Sequence, residues 1–143
     1  MIKFREYRKQ TDESFIYANW LCHFFEQSYF AIRITDKIYF EGHRGVIDKL
    51  LQKSQTLMAV DEQDEDVIVG FMVYELSTEP VIHYIFIKED FRKIGIGKKL
   101  LAKVTDGTFS FTHWSYDVDK IEKKSTYQKR MIYNPYLLGI YEN

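Results

Sequence analysis

Two apolar runs stand in the middle of the chain, only three residues apart: "VIVGFMVYEL", Val67 to Leu76, and "PVIHYIFI", Pro80 to Ile87. They have strand length, they are rich in β-branched and aromatic residues, and neither alternates with polar positions. Runs of that kind read as strands covered on both faces. Upstream, "TLMAV" (Thr56 to Val60) leads through the acidic "DEQDED" (Asp61 to Asp66) into the first run, which reads as an antiparallel hairpin. The acidic stretch lacks the glycine and the later glutamate of an EF-hand loop, so it reads as a solvated hairpin tip with no metal. Gly70, inside a strand, marks a bulge. The chain must therefore supply covering layers for both faces of a sheet.

The flanks supply them. "IKFREYR" (Ile2 to Arg8) alternates and reads as a strand. Thr11 or Asp12 caps a helix that runs to about Gln27, with Phe15, Ala18, Leu21, Cys22 and Phe25 at helical spacing, which makes Cys22 a packing residue. "SYFAIRITDKIYFEG" (Ser28 to Gly42) shows no clear period. A second helix spans Arg44 to Lys53, and a third, amphipathic one spans Ile96 to Val104. "TFSFTHW" (Thr108 to Trp114) alternates as a strand. Asp117 to Arg130 reads as a helix with a thin apolar face, and "NPYLLGIYEN" as a closing strand. Pro135 pushes Asn134 out of helical geometry, so the helix is expected to stop before Asn134 with Tyr133 near its end. The order is β-α-α-β-β-β-α-β-(α)-β. Nothing reads as a linker or repeat, and 143 residues suit one domain, 1–143.

Charge and composition narrow the function. A formal net charge of -1 argues against a nucleic-acid coat. The single cysteine excludes an internal disulfide and suits a reducing compartment. "MIKFREYRKQ" has no apolar signal region, and no apolar run approaches the roughly 20 residues that span a bilayer. The expectation is a soluble, cytoplasmic protein with no nucleic acid and no membrane among its partners.

"FRKIGIGKKLL" (Phe91 to Leu101) follows the second apolar run and opens the third helix. Helix N-terminal N–H groups have no intrahelical partner, and the helix dipole adds positive potential. Glycine lets an anion reach the backbone, and Arg92, Lys93, Lys98 and Lys99 surround the turn. That is the layout of a phosphate site; the simpler account is a tight turn with surface lysines. No G-K-[ST] follows, so it is not a Walker loop. A third glycine is missing, so the dinucleotide fingerprint is incomplete.

Arg92-Lys93-Ile94-Gly95-Ile96-Gly97 resembles the R/Q-x-x-G-x-G/A signature of the GCN5-related N-acetyltransferase (GNAT) superfamily. "LMAVDEQDEDVIVGFMVYE" resembles that family's second and third strands. The resemblance covers Ile2 to about Trp114. It implies an α+β fold, a mixed, mostly antiparallel central sheet of about six to seven strands with helices on both faces. It implies acetyl-CoA as cosubstrate, its pyrophosphate held at Arg92, Lys93, Ile94, Gly95, Ile96, Gly97 and Lys98. It also implies that the fourth strand splays from the fifth, with pantetheine bonded to the backbone near Phe86 and Ile87. The activity implied is direct transfer of acetyl to a primary amine, on a small molecule or a protein, by a monomer or homodimer.

That chemistry needs a base for the amine, a donor for the oxyanion and a proton for the thiolate. His83, which alternates with Ile85 and Ile87 and titrates near neutrality, is the first candidate base; the other account is a core histidine bonded to a backbone carbonyl. Glu79 is the second candidate, or an exposed loop residue. The family's acid is a tyrosine near its last helix, and Tyr127 and Tyr133 are available, with Tyr133 preferred. The tail "TYQKRMIYNPYLLGI" departs from the family's A-x-x-x-Y-x-x-x-G-F pattern. A noncatalytic acyl-CoA-binding or protein-interaction module on the same fold is the alternative. His113 and Trp114 either line the acceptor pocket or cap a strand end. The aromatic Tyr29, Phe30, Tyr39 and Phe40 fall where the family shapes that pocket.

Overall fold

The computed structural model describes residues 1–29, 33–115 and 131–139. The elements run β1 (Ile2–Glu6), α1 (Lys9–Gln27), α2 (Asp36–Lys53), β2 (Gln55–Asp61), β3 (Ile68–Leu76), β4 (Pro80–Ile87), α3 (Ile96–Ala102), β5 (Phe109–Phe111) and β6 (Met131–Tyr133). The six strands form one sheet in chain order. β1 to β4 pair antiparallel, and β5 joins β4, and β6 joins β5, in parallel. The α+β class and its mixed, mostly antiparallel sheet are as expected. The expected helix over 117–130 lies outside the described residues.

The sheet separates two cores. On one face α1 lays Ile16, Trp20, Leu21 and Phe24, and α2 lays Tyr39, Ile47 and Leu50, against Met58, Val60, Phe71, Val73, Tyr84 and Phe86. On the other, Ile96 and Leu100 of α3 meet Ala59, Val69, Met72, Ile82, Phe109 and Phe111. Buried side chains of this size each contribute about 1.5–3 kcal/mol. The α1 residues recur at three- and four-residue steps, a stripe that a helix places on one side. Cys22 falls off that stripe and is exposed, not packed. α2 starts well before Arg44. Thr35 caps it by accepting from the Ile38 N–H, 3.4 Å, and it passes through Gly42 and Gly45. Each glycine costs a helix about 1 kcal/mol; burial of Tyr39, Ile47 and Leu50 outweighs that.

Two bulges shape the centre. β2 and β3 pair Ala59 with Gly70 and then Val60 with Ile68, so Val69 is the extra residue beside Gly70. A β carbon on Gly70 would lie 2.5 Å from the Phe86 carbonyl oxygen, so β4 can approach only a glycine there. The second bulge is in β4: Val73 pairs with Tyr84, then Tyr74 with Ile82, leaving His83 as the extra residue.

The tail differs from expectation. Met131–Tyr133 is a strand hydrogen-bonded to β5, not a helix end, and Pro135–Leu138 is a single turn of 3-10 helix rather than a strand. Asn134 caps that turn by accepting from the Tyr136 N–H, 3.1 Å.

One buried ion pair ties the first strand to the first helix. Arg5 donates from both terminal nitrogens to Asp12, at 2.7 and 2.8 Å, with Asp12 wholly buried. Asp12 also accepts from the Arg8 N–H at 2.7 Å. Arg5 further donates to the Glu65 carbonyl in the β2–β3 turn, 2.9 Å. Burial alone would raise the Asp12 carboxyl, but the Arg5 fork and the Arg8 N–H outweigh it and hold it below the usual range. Replacing Asp12 with Ala strands a buried guanidinium and is expected to cost about 3–5 kcal/mol in urea unfolding at pH 7. Because the folded carboxyl is depressed, its contribution is complete above the unfolded value of about 3.9 and is lost as pH falls through the folded one. In Asp12→Asn that part of the acid limb should disappear.

Candidate functional site

β4 is paired with β3 along its whole length but with β5 only at Val81–Ser110 and Ile82–Phe111. One further bond joins the Thr112 N–H to the Ile82 carbonyl, 3.3 Å. From His83 to Ile87 that edge of β4 has no partner strand among the described residues. A cavity of about 440 Å³ fills the gap. Its walls are Ile82, Ile85, Ile87, Leu101, Phe109 and Phe111. Arg92, Gly97 and Lys98 line it where β4 hands over to α3, and His23, His83, Tyr84 and His113 line it where β4 and β5 meet.

The turn into α3 has backbone geometry that suits glycine. Gly95 sits in the left-handed region at φ 90, while a β carbon there would meet nothing within 4 Å, so the demand is conformational. Lys93 also has positive φ, 68. The Cβ position of Gly97 meets only the Ile87 side chain, at 4.0 Å, leaving room on the groove side. Arg92 folds back to donate from Nε to the Ile87 carbonyl, 2.7 Å. The basic residues expected at the turn, Arg92, Lys93, Lys98 and Lys99, are exposed. The site thus offers an apolar slot along an edge of β4 that has no partner strand among the described residues, ending in a cationic turn.

A second cavity, about 360 Å³, is lined by Phe24, Ser28 and Tyr29 at the end of α1, His43 and Val46 of α2, Thr112, His113 and Trp114 after β5, and Tyr133, Pro135 and Leu138. Between the two cavities runs a chain of hydrogen bonds. Glu75 Oε2 lies 2.6 Å from His83 Nε2. His83 Nδ1 lies 3.0 Å from Thr112 Oγ1, which lies 3.0 Å from His113 Nδ1. His113 Nε2 lies 3.0 Å from His43 Nε2. Beside it Tyr84 Oη lies 2.6 Å from His23 Nδ1. All four histidines of the chain are in this region. Burial pushes His43 down to about 4. Burial, with His43 and His83 nearby, lowers His113 well below its ordinary value. Burial also lowers His83, outweighing the opposing effect of Glu75. These imidazoles are neutral at pH 7.

Residues 35–115 match the family model described as an acetyltransferase (GNAT) domain. The chain belongs to the GNAT acetyltransferase family. Among solved structures it is similar to a Pyrococcus furiosus protein named as an acetyl transferase, at 18% identity and TM-score 0.60, over 73% of this chain and 72% of that one. It is similar to the apo form of YjaB from Escherichia coli, at 24% identity and TM-score 0.51, over 73% of this chain and 64% of that one, so it spans less than two thirds of YjaB. It is also similar to a Clostridium difficile 630 protein carrying an acetyltransferase name, at 14% identity and TM-score 0.50, over 92% and 76% of the two chains. At these identities the likeness shows the fold. No curated protein matches the chain. Among the described residues no helix is long and apolar enough to cross a membrane.

The GNAT groove gathers some of the expected residues and leaves others outside. Ile87, Arg92, Gly97, Lys98 and His83 line it. Phe86 turns its side chain to the α1 face instead. His83 does not share a face with Ile85 and Ile87, as strict alternation predicts. The bulge turns it with Tyr84 toward α1 and α2, where Glu75 stands. Its partners are two side chains rather than a backbone carbonyl. Glu79 is exposed in the β3–β4 turn, away from the groove lining. Tyr133 packs on Phe111 and Trp114, at ring distances of 5.5 and 5.3 Å, and lines the second cavity rather than the groove. Tyr127 and Phe30 lie outside the described residues. Tyr29 lines the second cavity, and Tyr39 is buried with its hydroxyl donating to the Leu21 carbonyl, 2.7 Å. Glu75, Thr112, His43, His23 and Tyr84 went unread. The signal available was that His23, His83 and His113 each stand among apolar or aromatic residues; His43, between Gly42 and Arg44, carried none.

The buried histidines tie stability to pH. An unfolded histidine titrates near 6.5, whereas folded His43 is pushed down to about 4. Between those values the unfolded chain binds more protons, so stability should fall as pH drops from about 6.5 toward 4. Replacing His43 with Phe keeps a ring against Tyr39 and Phe24 and should reduce that slope, measured as urea midpoints from pH 7.5 to 4.5.

Proposed function

We propose that the protein is an N-acetyltransferase that moves acetyl from acetyl-CoA to a primary amine by direct attack. The observation that carries this is the groove itself, an apolar slot opened by the early end of β4–β5 pairing and closed by a glycine turn ringed with Arg92 and Lys98. In this reading the N–H groups from Lys93 to Lys98 hold the pyrophosphate, and the groove-facing edge of β4 around Ile87 bonds the pantetheine amides; Phe86, two residues before Lys88, turns its backbone to β3 instead. A β4 N–H left without a strand partner polarises the thioester carbonyl. The amine approaches from the second cavity, whose described lining is aromatic and histidine-rich. The amine is on a small molecule or a protein, and His83 receives its proton. The setting proposed is cytoplasmic, and residues 1–143 act as one domain.

One observation favours a second reading, a module that binds acyl-CoA without turnover: Tyr133, the expected acid, lines the other cavity. The deciding experiment offers acetyl-CoA with aliphatic amines, aromatic amines and lysine peptides, and follows thiol release. Binding without thiol release on any amine would select the second reading.

Gly95→Val forces a β-branched residue into the left-handed region at the turn. It should weaken CoA binding at least tenfold, about 1.4 kcal/mol, by calorimetry. Unchanged affinity would remove the phosphate site from the turn. With an accepted amine, His83→Ala should lower kcat/KM by roughly 10²- to 10⁴-fold; full activity would reduce His83 to a packing residue.

A further inference from the structure

The five residues between the two cavities form more than a set of satisfied polar groups, because their hydrogen bonds can be oriented. A neutral imidazole has one N–H and one lone pair, and a threonine has one O–H. Glu75 as carboxylate only accepts, so His83 places its proton on Nε2 and leaves Nδ1 as a lone pair. Thr112 then donates to His83 Nδ1 and has only lone pairs for His113. His113 must therefore carry its proton on Nδ1, and the backbone of His83 offers that ring a further acceptor. His113 Nε2 is left as a lone pair, so His43 donates from Nε2. Every donor points the same way, from the second cavity to Glu75, and His43 is left with a lone pair on Nδ1.

We infer that His43, His113, Thr112, His83 and Glu75 form a proton relay that carries the acceptor nitrogen's proton from the second cavity to Glu75. This rests on the acetyl-transfer reading above. The amine nitrogen bonds to the thioester carbonyl carbon, and the C–S bond breaks as the tetrahedral centre collapses. The nitrogen's surplus proton passes to His43 Nδ1. His43 gives its Nε2 proton to His113, His113 gives its Nδ1 proton to Thr112, Thr112 gives its own to His83 Nδ1, and His83 gives its Nε2 proton to Glu75. Glu75, whose side chain is 29% exposed, releases the proton to water, and the leaving thiolate takes one from water in the groove. His83 is thus reached through Thr112 and not directly. Both its nitrogens are occupied, and its side chain is fully buried.

The surroundings suit exchange rather than storage of charge. Lys53 of α2 stands 3.4 Å from Glu75. His43 is stacked on Tyr39 and on Phe24, and Trp20 and Tyr84 lie against His113. His23 bonds Tyr84 from α1. Burial keeps the three relay imidazoles neutral, so each retains the lone pair that the next proton needs.

The first test needs no acceptor. Long-range ¹⁵N–¹H spectra of the protein at pH 7.5 should show His83 and His43 protonated at Nε2 and His113 at Nδ1. Thr112→Val should leave His83 at Nε2, held by Glu75, and His113 at Nδ1, held by the His83 carbonyl, while removing the one hydroxyl that links the two rings. Mixed tautomers in the parent protein, or His113 protonated at Nε2, would overturn the relay whatever the activity. The second test uses an amine accepted in the thiol-release screen. Thr112→Val should lower kcat roughly 10²-fold with KM within about twofold, and Thr112→Ser should restore most of it. Glu75→Gln still accepts from His83, so tautomers should hold while kcat falls. Parent-like kcat in both variants would overturn the relay. The stated tautomers with no turnover of any amine would overturn the acetyl-transfer reading and leave the wiring in place.

Discussion

The bulge at His83 is the constraint on which the rest depends. An extra residue in a strand turns two consecutive side chains to one face and increases the local twist. Here it sends His83 and Tyr84 together toward α1 and α2, and it falls where β4 leaves β5. The groove, its free strand edge and the polar chain all start within one residue of it. Gly70 cooperates from the neighbouring strand, since only a residue without a side chain lets β4 pass so close to β3 at Phe86 and Ile87.

Two clusters of buried polar side chains among the described residues are handled in opposite ways. At Arg5 and Asp12 the charges are kept, and a two-pronged contact with extra backbone bonds meets the cost of desolvation. That cluster lies at the β1 end of the sheet and holds strand, helix and hairpin turn together. At the histidines the charge is given up. Burial keeps the imidazoles neutral, and their protons are shared in one direction. The first arrangement is rigid by charge. The second can change its protonation without a net charge being stranded, provided the end at Glu75 opens to water.

Much of this was legible in the chain and some was not. The central strands and the glycine turn could be read because apolar periodicity and turn chemistry are local properties. The face of His83 could not, because one inserted residue reverses alternation and nothing in "PVIHYIFI" marks where it falls. Glu75 was invisible as a partner because the contact depends on cross-strand register. The start of α2 was hidden by Gly42, whose poor helix propensity is overridden by packing of Tyr39. Tyr133 was assigned to a helix end from Pro135, but a parallel strand pairing with distant Phe109–Phe111 decided its place. Helical spacing with Ala18 and Phe25 points Cys22 inward, yet the stripe of Ile16, Trp20, Leu21 and Phe24 leaves it exposed.

The third of the sheet beyond β4 is built differently from the rest. β5 and β6 are three residues each and are joined in parallel, whereas β2, β3 and β4 have seven, nine and eight residues in antiparallel pairing. Local opening begins where few backbone bonds hold an element. One wall of the groove is therefore a stiff antiparallel slab, and the other is a short parallel flap. Amides of Phe109–Phe111 should exchange with solvent by a cheaper, subglobal opening than those of Phe71–Val73. The slot's width is then governed by the breathing of its weaker wall, a route by which a bulky molecule enters from the side.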